Sequence, residues 1–193
     1  MARGRKVNSN GERSKQLLRE KAIELFASNG YYQTKISDIV KAANVTQPTF
    51  YLYFDSKDSL FIDLNEQFQV DLFRLFEEQP GQNEAHFHQV IGNLLQYFSE
   101  NPLLTKIGLY QSEGSYLVKE RLVEKFEYIL EKQKQYFSKL EQMDIHIVSQ
   151  SLVGSIERLT FTLLLTNKKT VDQLTEELLS IYFVKDELLS YAT

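Results

Sequence analysis

The stretch TKISDIVKAANVTQPTFYLYFDSKDSL, residues 34–60, decides the fold of this chain. In its first half, apolar residues recur at the intervals of one helix face, at Ile36, Ile39, Val40 and Ala43. Thr34 precedes this repeat as a predicted N-cap. Asn44 follows it, and Asn tolerates the left-handed backbone conformation of a tight turn. The stretch therefore predicts a short second helix that ends in a sharp reversal.

A third helix is predicted from Gln47 to about Phe54. Thr46 can cap it, and Pro48 is acceptable in its first turn because those N–H groups have no helical partner. Val45 is apolar and should fill the gap between the flanking helices. Two short helices joined by such a turn form a helix-turn-helix, whose second helix presents its N-terminal residues to the DNA major groove.

The exposed side chains of this third helix suit DNA recognition. Gln47 can read an adenine edge with two hydrogen bonds, and the Pro48 ring and the Thr49 methyl can contact a thymine methyl. The hydroxyls of Tyr51 and Tyr53 can bond phosphates or bases. Helical hairpins with a polar turn also occur in ordinary bundles, so the pattern by itself leaves both interpretations open.

Charge is distributed unevenly along the 193 residues, although the net charge is −4. Residues 1–60 hold ten Lys and Arg against six Asp and Glu, and residues 61–193 hold twelve against twenty. Residues 1–11 read as a basic flexible arm, followed by a helix from Glu12 that Asn29-Gly30 ends. A positive potential near the N-terminus favours a nucleic-acid partner for this part of the chain.

The runs AIELFASNGY (22–31), ISDIVKAANV (36–45) and TFYLYFDSKDSL (49–60) resemble, in order and spacing, the signature of the TetR family of transcriptional regulators. The resemblance covers roughly residues 12–62. It differs mildly at the turn, where the family often has Gly and this chain has Asn44. It implies DNA contacts from one set of residues: Thr34, Lys35, Ser37, Gln47, Pro48, Thr49, Tyr51, Tyr53 and Lys57. Among them, Thr34 and Lys35 would contact the DNA backbone and Lys57 would grip a phosphate.

The rest of the chain also reads as helical, which predicts an all-α protein with a DNA-binding domain at 12–55 and a second domain at 56–193. A long helix should run from Ser56 or Asp58 to about Glu78, and others from about Asn83 to Glu100 and around Phe126. A short segment, 103–111, should lie between them. The last two helices are predicted at 144–166 and 170–185.

Those last two helices carry more apolar residues than one stripe needs. The TetR-like arrangement implies that they pair with their symmetry mates as a four-helix bundle, which suits a homodimer on a palindromic operator. The candidate interface residues are Leu152, Ile156, Leu163, Leu174, Leu178 and Ile181. Gly154 would allow close approach of helices or be a tolerated mid-helix glycine.

The resemblance also implies a small-molecule effector, and the aromatic residues of the second domain suggest an apolar pocket for it. Phe68, Phe98, Tyr110, Phe126 and Phe137 either line this pocket or pack in the core. Arg158 lies within an otherwise apolar stretch, where it would receive a ligand carboxylate or pair with a glutamate.

Other functions find little support in the sequence. Cysteine is absent and the three histidines are not spaced as ligands, so we expect no metal and no cofactor. No phosphate loop, nucleophile motif or histidine near a plausible nucleophile predicts an enzyme. The leading prediction is a ligand-responsive DNA-binding repressor, with a transcriptional activator left open, and a helical adaptor for protein partners is the alternative. With no apolar leader or membrane-length run, a cytoplasmic protein is expected.

Overall fold

The computed structural model describes residues 6–77, 84–112, 114–134 and 138–182. These residues form helices and turns, with no strand among them, as the all-α prediction requires. The helices, with two π-helical turns after α6 and α9, are α1 (Lys6–Asn29), α2 (Ile36–Ala42), α3 (Gln47–Tyr51), α4 (Lys57–Arg74), α5 (Glu84–Glu100), α6 (Pro102–Lys106), α7 (Ser115–Gln133), α8 (Ser138–Glu141), α9 (Ile145–Leu159) and α10 (Val171–Tyr182). The π-helical turns are Ile107–Gln111 and Thr160–Leu164.

The chain divides into two compact units. The first comprises Met1–Val70 and Leu103–Glu113, and the second comprises Asp71–Pro102 and Gly114–Thr193. Helix α4 thus begins in the first unit and ends in the second. The boundary expected at residue 56, between a DNA-binding domain and an effector-binding domain, is defined by function and stays a prediction.

Helix α1 begins at Lys6, six residues before the predicted start at Glu12. Residues 6–11 of the predicted arm are therefore helical, and residues 1–5 lie outside the described residues. The helix ends at Asn29, and Gly30 adopts a φ of +85°. Because glycine reaches positive φ without steric cost, the predicted stop at Asn29-Gly30 is confirmed.

The core of the first unit is built where α1, α2, α3 and α4 meet. Its buried side chains are Leu18, Ala22, Phe26, Ile39, Val40, Ala43, Phe50, Phe54, Leu60, Leu64 and Ile107. The Phe26 ring meets Phe61 edge-on, with ring centroids 5.3 Å apart. These contacts hold α2 and α3 in a fixed orientation on α1 and α4.

An ion pair also ties α1 to α4. Arg19 donates from Nε and from one terminal nitrogen to the two carboxylate oxygens of Asp63, each at 2.7 Å. This planar two-bond geometry is the strong form of a carboxylate contact. The hydrogen bond to Asp63 raises the pKa of Arg19, so the guanidinium stays charged.

In the second unit, α7 packs on α9, and α5 packs on α10. Phe87, Ile91, Leu94 and Phe98 of α5 are fully buried there. Asp144 caps α9 by accepting the N–H groups of His146 and Ile147. No helix within the described ranges is both long and apolar enough to cross a membrane.

Candidate nucleic-acid interface

The turn between α2 and α3 has the predicted geometry. Asn44 adopts a φ of 53°, the left-handed conformation expected of it. The N–H of Val45 donates to the carbonyl of Val40 at 3.0 Å, and the half-buried Val45 side chain packs against the core. The turn of the helix-turn-helix is therefore formed by Asn44 in the left-handed conformation and by Val45 packed against the core.

Helix α3 is capped as predicted but is shorter than expected. Thr46 Oγ1 accepts the N–H of Thr49 at 3.3 Å, and Pro48 lies in the first turn. The helix ends at Tyr51 rather than about Phe54, and Leu52 is its helical C-cap. Phe50 and Phe54 point into the core, with ring centroids 5.7 Å apart.

The outward face of α3 carries most of the predicted base-reading side chains. Gln47 and Pro48 are exposed, and the Tyr51 side chain is 49% exposed with its ring edge against Phe50. Thr49 is half-buried, and its hydroxyl lies 2.8 Å from that of Thr46, with which it shares a hydrogen bond. Tyr53 is half-buried against the core. Gln47, Pro48 and Tyr51 are thus the side chains best placed to enter a groove.

Thr34 is not the cap of α2, and its side chain is buried. Its side chain is 1% exposed. Its hydroxyl donates to the carbonyl of Gly30 at 2.9 Å and to that of Leu25 at 3.3 Å. Lys35 occupies the N-cap position instead, and its N–H donates to the Asp38 carboxylate at 3.0 Å. The expected cap was wrong, because the Thr34 side chain closes the α1–α2 loop, and the expected contact of Thr34 with the DNA backbone stays a prediction.

Lys35 and Ser37 lie exposed at the start of α2, where a phosphate contact is sterically open. The exposed Lys41 adds a third cationic or polar side chain on the same helix. The predicted contacts of Lys35 and Ser37 remain predictions.

Lys57 has a structural role that sequence reasoning missed. Its ammonium donates to the carbonyls of Tyr31 and Thr34, both at 2.9 Å, and lies 4.2 Å from the centroid of the Tyr31 ring. Since an ammonium has three N–H donors, one remains for a phosphate. Lys57 therefore fixes the α1–α2 loop to the start of α4, and its predicted phosphate contact would use the third donor.

Two exposed apolar side chains beside this surface were also missed. Leu52 is 76% exposed and Tyr32 is 83% exposed, its ring edge-on to Tyr31. For Leu52, the sequence offered one signal of exposure: it lies four residues after Pro48, which places both on the same outward face of the helix.

Comparison with known proteins settles the class of this helix-turn-helix. Residues 18–64 match the family described as bacterial regulatory proteins, tetR family. An uncharacterised HTH-type transcriptional regulator of Bacillus subtilis (strain 168), YdgC, is 31% identical over 182 residues, which cover 91% of this chain and 93% of that protein. This chain belongs to the TetR family. It is a DNA-binding transcriptional regulator of that family.

Solved TetR-type structures share the fold over most of the chain. A TetR-like transcriptional regulator from Rhodococcus sp. RHA1 has a TM-score of 0.73 at 18% identity and covers 88% of this chain and 93% of its own. The transcriptional regulator FadR from Bacillus subtilis, solved in complex with stearoyl-CoA, has a TM-score of 0.67 at 21% identity. The match covers 88% of this chain and 97% of the FadR chain. The two-domain helical architecture of this TetR protein is therefore shared with these regulators.

The predicted effector residues belong to both compact units. Phe68 and Tyr110 belong to the first unit, where Phe68 is fully buried and Tyr110 is about half exposed. Phe98 and Phe126 are fully buried in the second unit. Arg158 is exposed, so the expectation that it is a buried charge in need of a partner was wrong. Phe137 lies outside the described residues.

An apolar slot lies beside one of these residues. Phe126 meets Phe76 and Phe87 edge-on, with ring centroids 5.7 and 6.0 Å apart. Next to Phe76, a narrow cavity of about 50 Å³ is lined by Leu75, Phe76, His86, Val90, Lys125, Tyr128 and Ile129. Within the part of the chain that the structure describes, no three His, Asp or Glu side chains could hold a metal ion.

Four of the six predicted dimer residues are buried inside the single chain. Leu152, Ile156, Leu174 and Leu178 are at most 2% exposed, because α9 and α10 turn this stripe toward each other and toward α7 and α5. These four cannot meet a partner, and their assignment was wrong. Leu163 is half-buried, and Ile181 is 66% exposed.

Proposed function

We propose that this TetR-family protein is a homodimeric repressor, released from a palindromic operator by a small, largely apolar effector. The exposed Gln47, Pro48 and Tyr51 face of α3 supports sequence reading, because these side chains stand outward from a helix that a cap, a turn and a core hold rigid. Rigid placement matters because base readout depends on hydrogen-bond geometry. Since the partner is chromosomal DNA, the proposal places the protein in the cytoplasm.

The proposed DNA reading is tested by selecting an operator from a random duplex library and measuring three variants on it. Gln47→Ala and Tyr51→Ala should each weaken operator binding by about 1–3 kcal/mol, the discrimination of a base contact. Tyr116→Ala, which removes an even more exposed tyrosine from α7, should not change operator binding. Operator affinity unchanged in both α3 variants, each folded by circular dichroism, would exclude α3 as the reading helix.

A helical adaptor remains the competing function in this test. Binding that neutralises DNA phosphates releases counterions, so operator affinity should fall steeply as salt rises. An adaptor without a DNA function would select no duplex and show no such salt dependence.

For the dimer, we propose the outward face of α9 and α10. Ile147 and Gly154 stand seven residues apart on α9, so they share one side of the helix, and both are exposed. A side chain built at Gly154 would meet nothing within 4 Å, which leaves room for a partner helix. Tyr182 fixes α10 to α9 by bonding Ser151 and Ser155 at 2.9 and 2.7 Å, and the exposed Ile181 is its neighbour.

The slot beside Phe76 is the effector site that we propose. Its walls are apolar, and Lys125, His86 and Tyr128 supply the few polar groups that orient a guest. The FadR structure holds stearoyl-CoA, whose acyl chain is apolar, and such a chain is chemically consistent with the apolar walls of the slot. Effector binding here would favour a state with weaker operator affinity.

The effector proposal is tested with a library of apolar metabolites, screened by thermal shift. A true effector should raise the operator dissociation constant and should itself bind more weakly when operator is added, because coupling between two sites is reciprocal. Ile129→Phe, which narrows the slot, should abolish the thermal shift while operator binding stays intact. If no compound shifts the unfolding temperature, the slot is not a sensor.

A further inference from the structure

Leu52 is the feature of the DNA-binding unit that the proposed contacts leave unexplained. It is the C-cap of α3, its backbone is still helical (φ −71°, ψ −20°), and 76% of its surface is exposed. Pro48, four residues earlier, is exposed too. Positions i and i+4 lie on the same side of a helix, so the two form an apolar strip beside the polar pair Gln47 and Tyr51.

An apolar strip on this helix has one fitting occupant in duplex DNA. Each base pair offers hydrogen-bonding atoms in the major groove, and only thymine also offers a methyl group there. The surroundings of the strip suit a duplex rather than a protein surface, because Lys35 and Lys41 are exposed on α2 and residues 1–60 carry an excess of four positive charges (ten basic minus six acidic residues).

We propose that Leu52, with Pro48 beside it, reads the C5-methyl group of a thymine in each half of the operator. This inference rests on the proposed operator binding and deepens it, since it names the chemical group that the strip recognises. Gln47 and Tyr51 read hydrogen-bonding edges, and Leu52 adds selection for a methyl group at a neighbouring base pair. The operator therefore contains a thymine whose methyl group contributes to affinity.

The test replaces each thymine of the selected operator by deoxyuridine, symmetrically in both half-sites. This change removes the methyl group and keeps the base pair and its hydrogen-bonding atoms. At one position, the parent protein should lose about threefold to fivefold in affinity per half-site, the effect of one buried methyl group. Leu52→Ala should bind the thymine operator more weakly and should no longer distinguish thymine from deoxyuridine at that position.

Two further variants separate methyl reading from general weakening. Gln47→Ala should bind more weakly and keep the parent's ratio of thymine to deoxyuridine affinity, whereas Leu52→Met should restore most of that ratio. Because Leu52 is exposed, its variants should unfold at the parent's temperature. Methyl reading is wrong if Leu52→Ala keeps the parent's ratio of thymine to deoxyuridine affinity at every thymine. It is also wrong if the selected half-site has no thymine. In both cases the proposed operator binding stands. If the parent protein selects no duplex, the proposed function itself fails.

Discussion

At the scale of single residues, Lys57 shows how one side chain can hold a recognition element in place. Its ammonium bonds the carbonyls of Tyr31 and Thr34, which lie 26 and 23 positions earlier in the chain. Without it, both carbonyls lose a charge-assisted partner, and Thr34 is buried in the loop they belong to. The lysine thus links α4 to the loop from which α2 starts.

We therefore expect Lys57→Met, which keeps much of the stem and removes the donors, to lower the free energy of unfolding by about 1–3 kcal/mol. Thermal unfolding measures this effect. Lys41→Met is the matched control, because Lys41 is an exposed lysine on α2, and it should change stability by less than about 0.5 kcal/mol. Equal unfolding temperatures for the two variants would mean that the carbonyl contacts carry no stability.

At the scale of elements, the π-helical turn Ile107–Gln111 depends on a glycine. A Cβ added to Gly108 would lie 2.3 Å from two atoms of the buried Phe68 ring, far inside contact distance. Gly108 thus permits the turn and α4 to approach closely within the first unit. Gly154, in contrast, lies within α9 with open space around it.

The two glycines predict opposite responses to the same substitution. Gly108→Ala should destabilise the protein by about 1–3 kcal/mol or more, the cost of overpacking a filled core. In the monomeric Ile181→Glu background, where no partner helix would meet α9, Gly154→Ala should stabilise the folded chain by up to about 1 kcal/mol, since alanine is the better helix former. Chemical denaturation of both variants checks this pair. Phe68→Leu in the Gly108→Ala background should recover part of the loss, and its failure to do so would place the strain elsewhere.

At the scale of the whole molecule, neighbouring residues of α10 have different roles. Leu178 is fully buried within the chain, whereas Ile181, one turn later, is exposed. A carboxylate at Leu178 would lie in an apolar interior, and a carboxylate at Ile181 would face only solvent in a monomer. The two positions therefore separate folding of the chain from association of its copies.

Leu178→Glu should unfold the chain or destabilise it by several kcal/mol, whereas Ile181→Glu should leave the fold intact and yield monomers. Circular dichroism measures the first effect, and sedimentation velocity measures the second. Asp172→Glu, an exposed conservative change on α10, serves as the control for both. A stable Ile181→Glu dimer would move the dimer interface away from this face of α10.

The sequence by itself determined those features that depend on a few neighbouring residues. Caps, turns and helix stops depend on interactions within about four residues, so the sequence predicts them without knowledge of tertiary contacts. Examples are Asn44 in the turn, Thr46 as a cap, Pro48 in a first turn and the stop at Gly30. The periodicity of the apolar residues also predicted every long helix, although the start of α1 differed, α3 was shorter, and α4 ends at Arg74 rather than about Glu78.

Only the tertiary structure decided which neighbour each apolar or polar side chain meets. Thr34 is buried because its hydroxyl finds carbonyls of the α1–α2 loop, and Lys57 is held by that same loop. Leu152 and Leu178 have the spacing of an interface, yet they pack inside one chain. Periodicity shows that a helix face must be covered, but whether it is covered by the same chain or by a partner depends on long-range packing.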